Sequence, residues 1–285
     1  MAPPMSADRF IKALRDEGLS VVEVGSWRTH NRNSKGAWGP VNGVMIHHTV
    51  TSGSATSVRI CRDGHSQLPG PLCHGVITKD GRVHLVGYGR TNHAGAGDGD
   101  VLAAVIAERA LPKPNEANTD GNARFYGFEC ENLGDGKDPW PAAQLDAIER
   151  VSAAICRVHG WDAASVIGHL EWQPGKIDPR GFTMASMRTR VAKRLSVPAG
   201  KTPTPTTPDK EAPVNAKELH EAVWKRDAIP APSTAKTAKT NPTWKAESFL
   251  PETYDQTNRI LDVVRQLAKD VAALRAEVAA LKKGA

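Results

Sequence analysis

The chain has 285 residues, 40% hydrophobic and 24% charged, with 37 Lys and Arg against 31 Asp and Glu for a formal net charge of +6. That is enough for one packed domain with appendages, while apolar runs only a few residues long exclude a membrane-spanning helix and any stable membrane insertion. The excess of positive charge favours polyanions in general, but no compact Lys/Arg cluster is interleaved with aromatics, so nucleic acid is not an expected partner. The opening run MAPPMSADRFIKALRDEG lacks the apolar centre of a secretory signal, so synthesis in a cytoplasm is expected, and work outside it would need another route out. Cys61, Cys73, Cys130 and Cys156 are widely spaced without a CxxC pair, which points to reduced structural thiols rather than a zinc knuckle.

In chain order, SADRFIKALRDEG predicts a short helix with Ser6 as cap and Gly18 as stop. VNGVMIHH predicts a strand. CHGVITKDGRVHLVG predicts a hairpin, because Asp80-Gly81 separates two alternating β-rich runs. The Gly-, Asp- and Asn-rich stretch from Thr91 to Ala123 predicts a long loop enclosing a helix at DVLAAVIAER. RFYGFECEN predicts another strand. Leu145, Ile148, Val151, Ile155 and Val158 recur at helical spacing and Gly160 lies beyond them, which predicts a helix. SVIGH predicts a short strand and FTMASMRTRVAKRL a closing helix. These elements describe one α/β domain over residues 1–197, a central mixed β-sheet flanked by helices.

Beyond it the composition changes. Residues 198–214 are dense in Pro and Thr and predict an extended linker. Residues 215–254 predict a small helical and irregular region. In 255–285, Ile260, Val264, Leu267, Val271, Leu274, Val278 and Leu281 alternate spacings of four and three, with Val at a positions and Ile or Leu at d. That pattern suits a two-stranded coiled coil. Asp270 and Glu277 fall at g, with Arg275 and Lys282 at the following e positions, so a homodimer through residues 260–281 would pair opposite charges. The alternative is an amphipathic helix packed on the domain. Three heptads are short for stable association, so a weak or partner-assisted contact is expected.

Two segments carry chemistry: VMIHHTV from Val44, and VIGHLEWQPGKIDPRGF from Val166. In each, an apolar strand ends at histidine. In the second, a loop stiffened by Pro174 and Pro179 brings round Lys176 and Asp178. Two histidines and a carboxylate from strand and loop ends suit a three-ligand zinc site with its fourth position open to water. Either histidine segment taken alone is more often structural.

Together with CHGVITKDGRV, NHAGAG and YGFECEN, these segments make the domain resemble the zinc-dependent N-acetylmuramoyl-L-alanine amidases of the amidase type 2 family, which share a fold with peptidoglycan recognition proteins. The five segments stand in the family's order from about Val41 to Pro179. The resemblance implies Zn2+ held by His47, His169 and Asp178, with Glu129 and Lys176 as catalytic groups and His93 in contact with substrate. By strand alternation His48 then points away from the metal as a packing or hydrogen-bonding residue. Glu131 is the rival to Glu129. The run PGKIDP is one residue shorter than the family's PGRKxDP form, with the Lys-x-Asp relation kept. Cys73 stands where some relatives carry an assisting tyrosine, which favours the glutamate-based chemistry. Trp172 and Trp140 either line a saccharide groove or pack internally.

The implied activity is hydrolysis of the amide joining N-acetylmuramic acid to L-alanine of peptidoglycan. The charge, the tail and the missing signal further suggest a phage endolysin, made in the host cytoplasm and acting on the cell wall after release, with anionic wall polymers as tail partners. A non-catalytic peptidoglycan-binding module on the same fold is the alternative from another class, although such relatives typically lose a zinc ligand. A zinc peptidase cutting within the stem peptide would share the metal and the base.

Overall fold

The computed structural model describes residues 2–201, 227–230, 239, 243–245, 259–264, 266–267, 269 and 271. The chain divides into two compact units, Met1–Thr204 and Pro205–Ala285.

In the first unit, helix α1 (Ala7–Asp16) begins where the Ser6 hydroxyl accepts the Arg9 N–H at 3.2 Å, and it buries Phe10, Ile11 and Leu14 on one face. Strand β1 (Val21–Glu23) follows, then β2 (Gly43–His48), buried along its whole length as a strand covered on both faces must be. Helix α2 (Ser54–Asp63) leads to the hairpin of β3 (Gly75–Ile77) and β4 (Val83–Leu85). Asp80 makes that turn by accepting from the Thr78 hydroxyl at 2.6 Å and the Arg82 N–H at 3.2 Å, while Gly81 takes φ +81°. Helix α3 (Gly99–Ile106) starts on the Asp98 carboxylate, inside the long loop predicted from composition. Strand β5 (Phe125–Cys130), helix α4 (Ala142–His159), strand β6 (Val166–Gly168), the single turn α5 (His169–Trp172) and helix α6 (Met184–Leu195) complete the unit.

The sheet order is β1-β4-β3-β5-β2-β6, with β3 and β4 antiparallel and the remaining pairs parallel. It is thus a mixed central sheet flanked by helices. Alternation along β2 and β5 divides the core in two. Val44, Ile46, Tyr126 and Phe128 pack with residues of α1, α4 and α6, while Met45 and Phe125 pack with Ile167, Trp172 and Val101 of α3. Covering both faces leaves the carboxyl ends of the central parallel strands as the open side, the usual place for a site in such sheets.

In the second unit, β7 (Asp227–Pro230) pairs antiparallel with β8 (Thr243–Lys245). The sequence signals no strands there, because segments of four and three residues are too short for alternation to stand out. Most of residues 215–254, where a short helix is expected, lie outside the described residues, as do Leu274, Val278 and Leu281 of the heptad seam. The described seam positions are helical, and Ile260, Val264, Leu267 and Val271 are 64%, 55%, 57% and 47% exposed. Among the described residues no helix is long and apolar enough to cross a membrane.

Candidate metal centre and active site

Three neighbouring strands deliver the site. In the parallel register, His47 at the end of β2 lies beside Glu129 on β5, so both side chains leave the sheet on one face. Gly168, the last residue of β6, pairs with Ile46, which puts His169 next to His47. The turn carrying His169 is tied down by Glu171, which accepts the Gly168 N–H at 3.1 Å and a two-pronged contact from Arg188 at 2.8 Å on each oxygen. Asp178 is brought back by its own carbonyl, which accepts the Leu170 N–H at 2.7 Å.

The result is a triangle of ligand atoms. His47 Nδ1 lies 3.0 Å from His169 Nδ1 and 3.0 Å from Asp178 Oδ2, and His169 Nδ1 lies 3.1 Å from Asp178 Oδ2. A tetrahedral cation with arms of about 2.0–2.1 Å separates its ligands by about 3.3 Å, so this face is close to zinc-sized. The remaining nitrogens also fit. His169 Nε2 faces Gln173 Oε1 at 3.3 Å, and His47 Nε2 faces His93 Nδ1 at 3.1 Å. A partner at Nε2 leaves Nδ1 available to a metal. Burial holds His47 down at about 4, so its ring is neutral, as a ligand must be. Hydrogen bonds from both histidines keep the Asp178 carboxyl well below its usual range against the opposing effect of burial. Two imidazoles and a carboxylate therefore suit Zn2+.

One other acidic group, Asp98 with Asp100 and Glu116, gathers among the described residues, but Asp98 is spent on main-chain N–H groups of Asp100, Val101 and Asn115.

A cavity of about 450 Å³ opens over the triangle, and its lining includes His47, His169, Asp178, Glu129, Lys176 and His93. Burial and the negative charge of Asp178 push the Glu129 carboxyl up to about 8, with Lys176 opposing them. Its Oε2 is buried without a hydrogen-bond partner. Such an orphaned carboxylate oxygen beside a cavity marks a group kept for a ligand or for chemistry. Lys176 stands on the exposed part of the loop.

The rival carboxylate is occupied elsewhere. β5 ends at Cys130, and Glu131 turns to accept from Gly53 N–H at 2.9 Å, Ser54 Oγ at 2.7 Å and Lys79 N–H at 3.2 Å. It therefore anchors the positive N-terminus of α2. Period-two alternation alone could not separate the two glutamates, because the end of the strand decides which way the second one points.

His48 Nδ1 accepts the Arg180 N–H at 3.2 Å, and the residue also borders the cavity. His93 lines the cavity, yet it is only 7% exposed and its ring is turned onto His47. Trp172 is fully buried against Phe125, and Trp140 packs edge-on to Phe182 while its indole N–H donates to the Arg180 carbonyl at 2.9 Å. Neither tryptophan lines the cavity. Gln173, which sequence reasoning passed over, lies four residues after His169; that spacing is its only signal. All four cysteines are free and buried, Cys73 among them, so no phenol stands before His74.

No curated protein sequence matches the chain. Among solved structures it is similar to the endolysin N-acetylmuramoyl-L-alanine amidase LysCS from Clostridium intestinale (18% identity, 60% of this chain and 95% of that one, TM-score 0.41). It is also similar to AmiD from E. coli in complex with anhydro-N-acetylmuramic acid-L-Ala-D-γ-Glu-L-Lys (18% identity, 56% and 60% covered, TM-score 0.40). A third is Drosophila PGRP-LB (17% identity, 66% and 99% covered, TM-score 0.38). At these identities and TM-scores the likenesses carry no functional weight. The match to a family is different in kind: residues 37–181, half of the chain and the whole span from β2 to the ligand loop, fit the N-acetylmuramoyl-L-alanine amidase profile, and the chain belongs to that family.

Proposed function

We propose that the chain is a zinc-dependent N-acetylmuramoyl-L-alanine amidase that cuts the amide between the lactyl group of N-acetylmuramic acid and L-alanine, and that it serves as an endolysin. The observation that carries the reading is the convergence of two imidazole nitrogens and a carboxylate oxygen within 3.0–3.1 Å, beside the unpartnered buried oxygen of Glu129. When bound, zinc polarises a carbonyl and acidifies a water molecule.

The chain's own residues account for the remaining requirements. His47, His169 and Asp178 hold the ion. Glu129 takes the proton of the attacking water on its carboxylate and returns it to the departing amine nitrogen. The Lys176 ammonium stabilises the oxyanion that develops on the carbonyl oxygen, an effect of about 3 kcal/mol when removed.

A binding module without catalysis has no use for a partnerless carboxylate beside three intact ligands, which favours the enzyme. A peptidase cutting within the stem peptide would use the same groups and differs only in the bond presented. The net charge of +6 suits adsorption to an acidic wall. The tail supplies the wall-polymer contact, and the exposed seam from Ile260 to Val271 supports weak homodimerisation. Synthesis in the host cytoplasm and release through a permeabilised membrane complete the endolysin reading.

The test is mass spectrometry of purified peptidoglycan digested with the protein, with and without chelator, alongside Glu129→Ala. Free stem peptides beginning at L-alanine on intact glycan, dependent on both metal and Glu129, are expected. Cuts inside the peptide would move the assignment to peptidase, and binding without cleavage at full zinc occupancy would leave a recognition module.

A further inference from the structure

His93 takes no part in the chemistry above, yet it is buried and its ring meets a ligand edge-on, with ring centroids 5.3 Å apart. Its Nδ1 lies 3.1 Å from His47 Nε2, close enough for one shared proton. Two arrangements are available, and they are not equivalent. If His47 donates from Nε2, its Nδ1 is bare and can face a cation together with His169 Nδ1 and Asp178 Oδ2. If His93 donates instead, the single proton of a neutral His47 must sit on Nδ1, pointing into the ligand triangle and blocking it. A cation on His47 Nδ1 requires the single proton of the neutral ring to sit on Nε2, so the ligand role selects the first arrangement.

The surroundings set His93 up as the acceptor. The Asn122 side-chain carbonyl accepts the His93 and Ala94 N–H groups at 2.8 Å each, which fixes the main chain of the NHAGAG turn. The ring itself lies directly on Gly127 of β5. A Cβ at that position would come within 2.4 Å of His93 Cγ and Nδ1, so a larger residue would lift the imidazole off its seat. Gly127 also donates its N–H to His74 Nδ1 at 2.9 Å, while His74 Nε2 donates to the Gly89 carbonyl at 2.9 Å, which fixes the tautomer of the next ring. The other nitrogen of His93, Nε2, is buried near the Phe125 main chain with no partner in good geometry.

We propose that His93 is a positioning residue for the metal ligand: its Nδ1 accepts the His47 Nε2–H and holds His47 Nδ1 as the free ligand atom, and Gly127 provides the space in which it does so. Gln173 serves His169 in the same way, through Oε1 at 3.3 Å from Nε2. The inference rests on the zinc reading of the site. It explains why a strand that supplies Glu129 carries a glycine two residues earlier on the same face.

The experiment uses the full chain with 15N-labelled histidine and needs no variant for its first readout. Long-range 1H–15N correlation spectra of the zinc-loaded wild type are expected to show His93 protonated at Nε2 and bare at Nδ1. A proton on His93 Nδ1 would overturn the proposal. Zinc titration against a competing chromophoric chelator supplies the second readout. His93→Leu is expected to weaken zinc binding 10- to 100-fold, and His93→Gln, which keeps an acceptor, to recover most of that loss. Gly127→Ala should weaken binding with every ligand side chain intact. Wild-type zinc affinity in His93→Leu would refute the role. A wild type that binds no zinc would instead sink the zinc reading on which the role depends.

Discussion

Glu129→Gln keeps the shape of the side chain and removes its charge, so it separates what the carboxylate does for chemistry from what it does to the fold. In the metal-free protein, burial and the Asp178 charge raise the folded-state value from 4.5 to about 8. The folded value lies above the unfolded one, so this group's contribution to stability is complete below about pH 4.5 and is lost as pH rises toward about 8. At pH 7 the unfolded chain has released the proton that the folded chain still holds. The interval from 4.5 to 7, at about 1.36 kcal/mol per pH unit, makes that loss about 3 kcal/mol, growing to about 5 kcal/mol at pH 9. Glutamine has no proton to release.

Urea unfolding of chelator-treated protein at pH 4, 7 and 9 should therefore find Glu129→Gln equal to wild type at pH 4. At pH 7 it should be about 3 kcal/mol more stable, or roughly 6–12 °C in Tm for a domain of this size, although it cannot work as a base. A gap of equal size at pH 4 and pH 7 would mean that packing or hydrogen bonding causes it, and no gap would mean that the carboxylate is solvated. Either result would refute the account of Glu129 as a buried group kept at the expense of stability.

Lys176→Ala should lower kcat by about 100-fold, equivalent to roughly 3 kcal/mol, and leave Tm almost unchanged, because the side chain is exposed; steady-state kinetics beside a thermal melt would check both. Asp178→Ala leaves two imidazoles without their anionic partner and should abolish zinc retention through dialysis, measured by elemental analysis. His74 is held at about 4 by burial, below its unfolded value of 6.5, so its contribution is present above pH 6.5 and lost as pH falls through about 4. That interval is worth about 3 kcal/mol, and an acid titration of stability should show it weakened in His74→Gln. A chain ending at Thr204, the edge of the first compact unit, should cleave soluble muropeptides at the full-length rate and clear whole cells more slowly; loss of activity on the soluble substrate would refute independent action of that unit.

Much of the first unit is legible in the sequence because its signals are local. Ser6 and Gly18 bracket α1, Asp80-Gly81 makes its turn from its own carboxylate and backbone, and α4 is written in the spacing of Leu145 to Val158. The metal triad is legible for a different reason. Histidine at the end of an apolar strand is unusual, and when it occurs twice, with Lys and Asp on a Pro-bounded loop, the coincidence points to one site even though 131 residues separate His47 from Asp178. The sequence therefore determines which residue types are available at strand ends, and with them the class of chemistry.

It does not determine which side chain a given position sends into the cavity. Glu129 and Glu131 have the same parity, and only the end of β5 and the waiting N-terminus of α2 send one to the metal side and the other to Gly53 and Ser54. His93 reads as a cavity residue until the Gly127 backbone is seen beneath it. Gln173 reads as loop until the α5 turn brings it under His169. Trp172 and Trp140 carry the same aromatic signal as a saccharide platform, and only the placement of Phe125 and Phe182 shows that they pack internally. Gln173 aside, these decisions depend on contacts between residues about 30 to 80 apart in the chain, where side chains compete for the same partners and space. Local propensity and periodicity contain no term for that competition, whereas packing in three dimensions resolves it, because each buried donor or acceptor that goes unmatched costs about 1–3 kcal/mol.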